Sequence, residues 1–119
     1  MTKAGTTRFA SETQEARVSK KLGGRVIPNS GAGKFNKSDV VVDGASLSIE
    51  CKTCMEEKRS FSVKKEWLEK HVEESFSNRL DNHALAFSFC YDSKDDYYVI
   101  DDKLMKFLVK KLEETYQIN

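Results

Sequence analysis

The period of the hydrophobic positions changes several times along the chain, and each change marks an element. From Ser11, read as an N-cap, to about Leu22 the spacing is helical, with Val18 and Leu22 on the inward stripe and Gly23-Gly24 as the stop. Arg25-Val26-Ile27 reads as a short strand ended by Pro28, and a polar, glycine-rich loop fills 29–37. Ser38–Asp43 and Ser46–Thr53 read as two strands joined at Gly44-Ala45, a hairpin. After a charged connection over 54–60, a helix is predicted from about Ser62 to Phe76, with Trp67, Leu68, Val72 and Phe76 as its apolar stripe. Ala84–Cys90 is a nearly continuous apolar run, as in a buried strand. Asp92–Asp96 is a turn, Tyr97–Ile100 another strand, and Leu104, Leu108, Leu112 and Tyr116 mark a final amphipathic helix. The order α-β-β-β-α-β-β-α predicts an α/β fold, one mixed β-sheet flanked by helices, in a single domain over 1–119 with a frayed start over 1–8.

Composition alters this picture little. Charged residues make up 33% and hydrophobic residues 39%, which suits a globular, well-solvated chain. With no long apolar run and no secretory signal, the expected location is the cytoplasm, away from any membrane. Three cysteines in a reducing compartment predict no disulfide framework. The distribution of charge is more informative than its sum. Residues 1–37 carry eight Lys or Arg against two Glu, whereas 38–119 carry twelve against seventeen acidic side chains. A basic N-terminal third suits a polyanionic partner.

Candidate chemistry centres on Ile49-Glu50-Cys51-Lys52-Thr53. Strand alternation puts Glu50 and Lys52 on one face and Ile49, Cys51 and Thr53 on the other. If the apolar face enters the core, the charged face must meet water, a partner or a metal. Asp39 can converge on Glu50 across the hairpin, with Lys52 close by. Two adjacent carboxylates repel unless a cation lies between them, and hard oxygen ligands favour Mg²⁺ or Mn²⁺. On the first helix, Glu15 lies about 40° from the inward stripe and Glu12 about 100°, so Glu15 is better placed to reach the sheet, with Glu12 left as an alternative.

Other motifs weigh less. Gly31-Ala-Gly33-Lys34 lacks the first glycine and the Ser/Thr of a phosphate-binding loop, so no nucleotide cofactor is expected, and the segment is read as a basic loop whose Lys34 and Lys37 face phosphates. Cys51-Lys-Thr-Cys54 has no second pair for zinc. Trp67 reads as core, His71 as structural and His83 as a turn residue. Lys64 and Lys65 open the second helix and could touch phosphate.

These segments resemble the PD-(D/E)xK nuclease superfamily, and most of all its small Holliday-junction resolvases of phage and archaeal type. The likeness is carried by Gln14–Val18, Leu22–Ala32, Lys37–Val40, Ile49–Thr53 and Ser60–Leu68, and spans roughly residues 9–100. Asp39, Glu50 and Lys52 form its D-x₁₀-E-x-K core, with Ser38 standing where the superfamily name has proline. The resemblance implies a restriction-endonuclease-like fold and Mg²⁺-dependent hydrolysis of phosphodiesters in branched DNA such as a four-way junction, with Mn²⁺ as substitute. It implies that Asp39, Glu50, Glu15 and the Cys51 carbonyl hold the metal and that Lys52 positions or activates water. Ser30 and Lys37 would lie near the scissile phosphate, with Lys34, Arg25, Lys64 and Lys65 as further DNA contacts. Two near-symmetric cuts imply a homodimer. A restriction- or repair-type endonuclease, or a catalytically silent DNA-binding module, are the alternatives.

Overall fold

A computed structural model describes residues 6–28 and 38–117. Three α-helices, α1 (Thr7–Leu22), α2 (Lys65–Ser77) and α3 (Asp102–Tyr116), accompany five strands, β1 (Arg25–Val26), β2 (Val40–Val42), β3 (Leu47–Lys52), β4 (Asn82–Phe87) and β5 (Tyr97–Val99). The strands form one sheet in the order β1-β2-β3-β4-β5. β3 and β4 are parallel and every other neighbouring pair is antiparallel. The chain is thus α/β, a mixed sheet flanked by helices, in the element order read from the sequence.

Helix α1 begins a full turn before Ser11. Thr6 is its N-cap, accepting a hydrogen bond from Phe9 N at 3.0 Å, so Thr7 and Arg8, expected to fray, are helical. The early start is stabilised by packing, since Ala10 is buried and the Phe9 ring meets Tyr91 edge-on at 5.9 Å. The buried stripe is Ala10, Gln14 and Val18, and Leu22, expected to face inward, is exposed. Gly23 ends the helix at φ 69°, a left-handed conformation that glycine adopts without Cβ strain. At Gly24 a Cβ would meet Val41 O at 2.8 Å, so only glycine lets the chain enter β1 this close to β2.

One side of the sheet carries the apolar core. Val18 of α1 packs on Val40, Ile49 and Ala86, all fully buried, with Val42, Leu47 and Cys51 around them. Strand alternation sends Ser48, Glu50 and Lys52 to the opposite side, beneath α2. That side is mixed, with Val41, Leu85 and Phe87 beside these polar residues, and α2 meets it with Trp67 and Leu68 half-buried and two polar residues fully buried. His71 and Ser75 are its buried residues, whereas Val72 and Phe76, expected in the apolar stripe, are turned to solvent, Phe76 with 82% of its surface exposed.

The Asp92–Asp96 turn is tied down more firmly than its composition suggests. Asp96 has 1% of its side chain exposed and takes both arms of the Arg17 guanidinium at 2.8 Å. Arg17 also donates to Tyr91 O at 2.7 Å, and Lys21 lies 3.3 Å from Asp96. Helix α1 therefore holds the β4–β5 connection as well as the sheet.

The apolar strand expected to run through Cys90 ends at Phe87 and begins earlier, at Asn82, so His83 lies within β4 and not in a turn. Its Nε2 is 3.4 Å from Asp101, whose other oxygen caps α3 by accepting from Leu104 N at 2.9 Å. No residue of α3 is buried. Its apolar face, with Leu104, Phe107 and Leu108, borders an open groove of about 640 Å³ against Leu47, Ala84 and Ile100. Among the described residues, no helix is long and apolar enough to cross a membrane.

Candidate active site: a carboxylate cleft with one lysine

The β2–β3 ladder sets the first two carboxylates. Val40 pairs with Ile49, and Asp39 N donates to Ile49 O at 3.0 Å. The regular ladder ends there, with Asp39 and Val40 both opposite Ile49, and Asp39 shares a cleft with Glu50 closely enough for the two charges to act on each other. Beyond this point the Asp39 side chain replaces the β2 main chain, and its Oδ2 accepts from Cys51 N at 2.8 Å. The N–H and C=O of a strand residue point to the same edge, so the Cys51 carbonyl is turned towards Asp39 as well.

Helix α1 supplies the third carboxylate. Glu15, half-buried, lines with Asp39, Glu50, Cys51 and Lys52 a cleft of about 830 Å³. Glu12 is more exposed, lies on the same cleft wall and is paired with Arg8 at 3.3 Å. Lys52 is the neighbouring cation, with Nζ 3.5 Å from Glu50 and 4.5 Å from the centre of the Trp67 ring.

Crowding of like charge in a desolvated cleft has a direct electrostatic consequence. Burial, then the Asp39, Glu12 and Glu50 charges, pushes the Glu15 carboxyl from 4.5 up to about 8. Burial and the Glu50 charge raise Asp39 from 3.8 to about 7, against the opposing hydrogen bond from Cys51 N. Glu50 is raised by burial, with Lys52 partly offsetting the effect. The Cys51 thiol is pushed up, chiefly by burial, and is inert as a nucleophile. Three acidic groups that resist ionisation together lack positive charge. Their oxygen donors are of the hard kind that Mg²⁺ or Mn²⁺ takes, although the donor atoms of the three do not all lie within 4.8 Å of one another.

Sequence reasoning missed a second wall. Helix α2 brings Glu66, Trp67, Lys70, His71 and Glu74 over Asp39, Glu50 and Lys52, around a cleft of about 380 Å³. Trp67 is half-buried, with its ring under the Lys52 and Lys64 ammonium groups and beside Phe61, so it borders the site and is not wholly core. The signal for this wall is present in the sequence as Trp67, His71 and Ser75 with Lys70 and Glu74, residues three and four apart on one helix face. It is a polar stripe, so a search for apolar periodicity passes over it.

The remaining candidates are not all gathered here. Arg25 is exposed on β1 and paired with Asp43 through contacts of 2.7 and 3.1 Å, away from the carboxylates. Lys64 lies near the site over Trp67, whereas Lys65 is exposed and pairs with Glu69 at 3.8 Å. Ser30, Lys34 and Lys37 lie outside the described residues. Cys51 and Cys54 are free thiols, as is Cys90.

No protein-family model matches the sequence, and neither the curated proteins nor the solved structures give a significant match.

Proposed function

We propose that this protein is a metal-dependent endodeoxyribonuclease with a restriction-endonuclease-like fold, acting on branched DNA as a junction-resolving enzyme. The observation that carries this reading is the convergence of Glu15, Asp39, Glu50 and Lys52 on one cleft, with the three carboxyls forced above their ordinary proton affinities. The antiparallel β1–β3 run, followed by the α2 crossover to a parallel β4, supports the fold assignment.

Glu15, Asp39, Glu50 and the Cys51 carbonyl would hold Mg²⁺, with Mn²⁺ as substitute. When bound, the ion lowers the pKa of a coordinated water and offsets the charge on the pentavalent phosphate. The Asp39 carboxylate is fixed by Cys51 N–H, which aims its free oxygen into the cleft. Lys52 donates hydrogen bonds to the attacking water or to a phosphate oxygen, where negative charge develops. The Trp67 ring beneath its ammonium limits where that group can swing. Backbone contacts from Lys64 and other basic side chains would recognise the shape of the arms and not their sequence.

Resolution of a junction takes two cuts, and a homodimer supplies two sites about a two-fold axis. The uncovered apolar face of α3 suits a second copy of the chain. An antiparallel pairing brings Lys103 and Lys106 of one helix against Glu114 and Glu113 of the other, so the charges complement where the apolar residues meet.

The test is incubation of the purified protein with a synthetic immobile four-way junction and with linear duplex of the same sequence, with Mg²⁺ and with EDTA. Paired incisions in the junction that require Mg²⁺ are expected. Equal cutting of the linear duplex would replace the junction assignment with a general endonuclease, and DNA binding without any cutting would leave a binding module.

A further inference from the structure

We propose that Glu50, His71 and Glu74 form a second cation site, on the α2 side of the carboxylate cleft, that takes a divalent transition ion such as Zn²⁺ or Mn²⁺. One donor atom from each residue lies within 4.8 Å of the other two. Such proximity alone is common among acidic groups; the state of His71 is the independent observation.

His71 is 2% exposed. Its Nε2 lies 3.0 Å from the Ser48 main-chain oxygen. A carbonyl can only accept, so Nε2 carries the proton, and in the neutral ring Nδ1 carries the lone pair. Nδ1 is buried with no hydrogen-bond partner, and what it faces is Glu74 Oε1 at 3.8 Å. A buried lone pair opposite a carboxylate is unfavourable unless a positive species lies between them. A proton would draw the two atoms into a charge-assisted hydrogen bond of about 2.8 Å. The observed 3.8 Å is nearer the separation of about 3.4 Å that two donors adopt around a tetrahedral ion with bonds of about 2.1 Å. The bond from Nε2–H to a main-chain carbonyl is also the arrangement by which a ligating histidine is held in the correct tautomer. A nitrogen donor beside two carboxylates favours a transition ion over Mg²⁺.

This site rests on the nuclease reading at one residue, Glu50, which the two sites share. His71 and Glu74 belong to the second site alone. A carboxylate common to both would hold two cations, one towards Glu15 of α1 and one towards His71 of α2, with the transition ion fixing Glu50 and leaving Lys52 free to turn towards substrate. Lys52 and Lys70 border the same cleft and compete with the ion for Glu50, so the ion is exchangeable rather than a structural fixture.

The chain has two histidines, so the experiment reads the wild-type protein directly. Zn²⁺ is titrated into metal-free protein while long-range ¹H–¹⁵N spectra follow the imidazole nitrogens of His71 and His83. The expected result is movement of the His71 Nδ1 resonance, with Nε2 still protonated and His83 unchanged. Glu74→Gln keeps the size of this largely buried side chain and is expected to weaken Zn²⁺ binding by about tenfold or more, whereas Asp39→Asn keeps the His71 response. A His71 signal unmoved at saturating Zn²⁺ overturns the proposal. So does a response lost in Asp39→Asn but kept in Glu74→Gln, since the ion would then be held by Asp39 and not by Glu74. Failure to cut DNA with the His71 response intact would count against the nuclease reading alone.

Discussion

Replacing Asp39 by Asn should make the metal-free protein more stable at alkaline pH, although it removes a residue assigned to the active site. Asp39 is raised from 3.8 to about 7, chiefly by burial and then by Glu50. A group whose folded pKa lies above its unfolded value binds more protons in the folded state, so stability falls as pH rises between the two values. The loss begins near pH 4 and is complete above about pH 7. Its upper bound is about 4 kcal/mol, at about 1.4 kcal/mol for each tenfold change in proton affinity. Asp39 and Glu50 share this repulsion and the cleft admits some solvent, so about 2 kcal/mol is the expected gain. Asn retains an oxygen to accept from Cys51 N. For a chain of 119 residues the gain corresponds to a rise in melting temperature of about 5–10 °C. The assay is thermal unfolding in EDTA at pH 8 and at pH 4.5 for both proteins, repeated with Mg²⁺. The variant should melt higher at pH 8, the gap should shrink to about a quarter at pH 4.5, and Mg²⁺ should stabilise the wild type more than the variant. A variant that melts lower than the wild type at pH 8 without metal would refute the claim that these carboxylates are held together against their repulsion.

The other expectations concern catalysis and the frame around it. Glu50→Ala and Asp39→Asn should each reduce Mg²⁺-dependent cleavage by about 100-fold or more while junction affinity by gel shift changes little; undiminished turnover in either would reject its role. Glu15→Gln should lower activity by about 10- to 100-fold and Glu12→Gln far less, because Glu15 is the more buried and faces both Asp39 and Glu50; equal or reversed losses would contradict the placement of α1. Arg17→Ala leaves the buried Asp96 with only Lys21 as a cationic partner and should cost about 3 kcal/mol, read by urea unfolding. A cost below about 1 kcal/mol would show that the β4–β5 connection is held by other means.

The strands that carry the candidate site were legible because two simple rules agree there. Period-two alternation sends Ile49 and Cys51 to the α1 core and Glu50 and Lys52 to the other side, and hairpin pairing brings Asp39 across to Glu50. The lean of Glu15 towards the sheet followed from helical geometry, even though the reference stripe included Leu22, which is exposed. Reading failed where burial did not follow hydrophobicity. Helix α2 covers the side of the sheet that carries Glu50 and Lys52 and buries His71 and Ser75, so of the expected apolar stripe Trp67 and Leu68 are half-buried while Val72 and Phe76 are left outside. The start of α1 lies among Thr6, Thr7 and Arg8, which have no apolar pattern, and is decided by a capping hydroxyl and by the tertiary contact of Phe9 with Tyr91. Asp96 looked like a turn residue because its partner, Arg17, is 79 positions away in sequence.

The most direct test of the central claim is Mn²⁺ titration by calorimetry near pH 7, in two buffers that differ in ionisation enthalpy. If Glu15, Asp39 and Glu50 meet to hold a cation, binding must expel the protons that their mutual repulsion retains. Binding accompanied by proton release is expected, with both diminished in Asp39→Asn and in Glu15→Gln. Absence of binding, or binding without proton release that neither substitution affects, would contradict it.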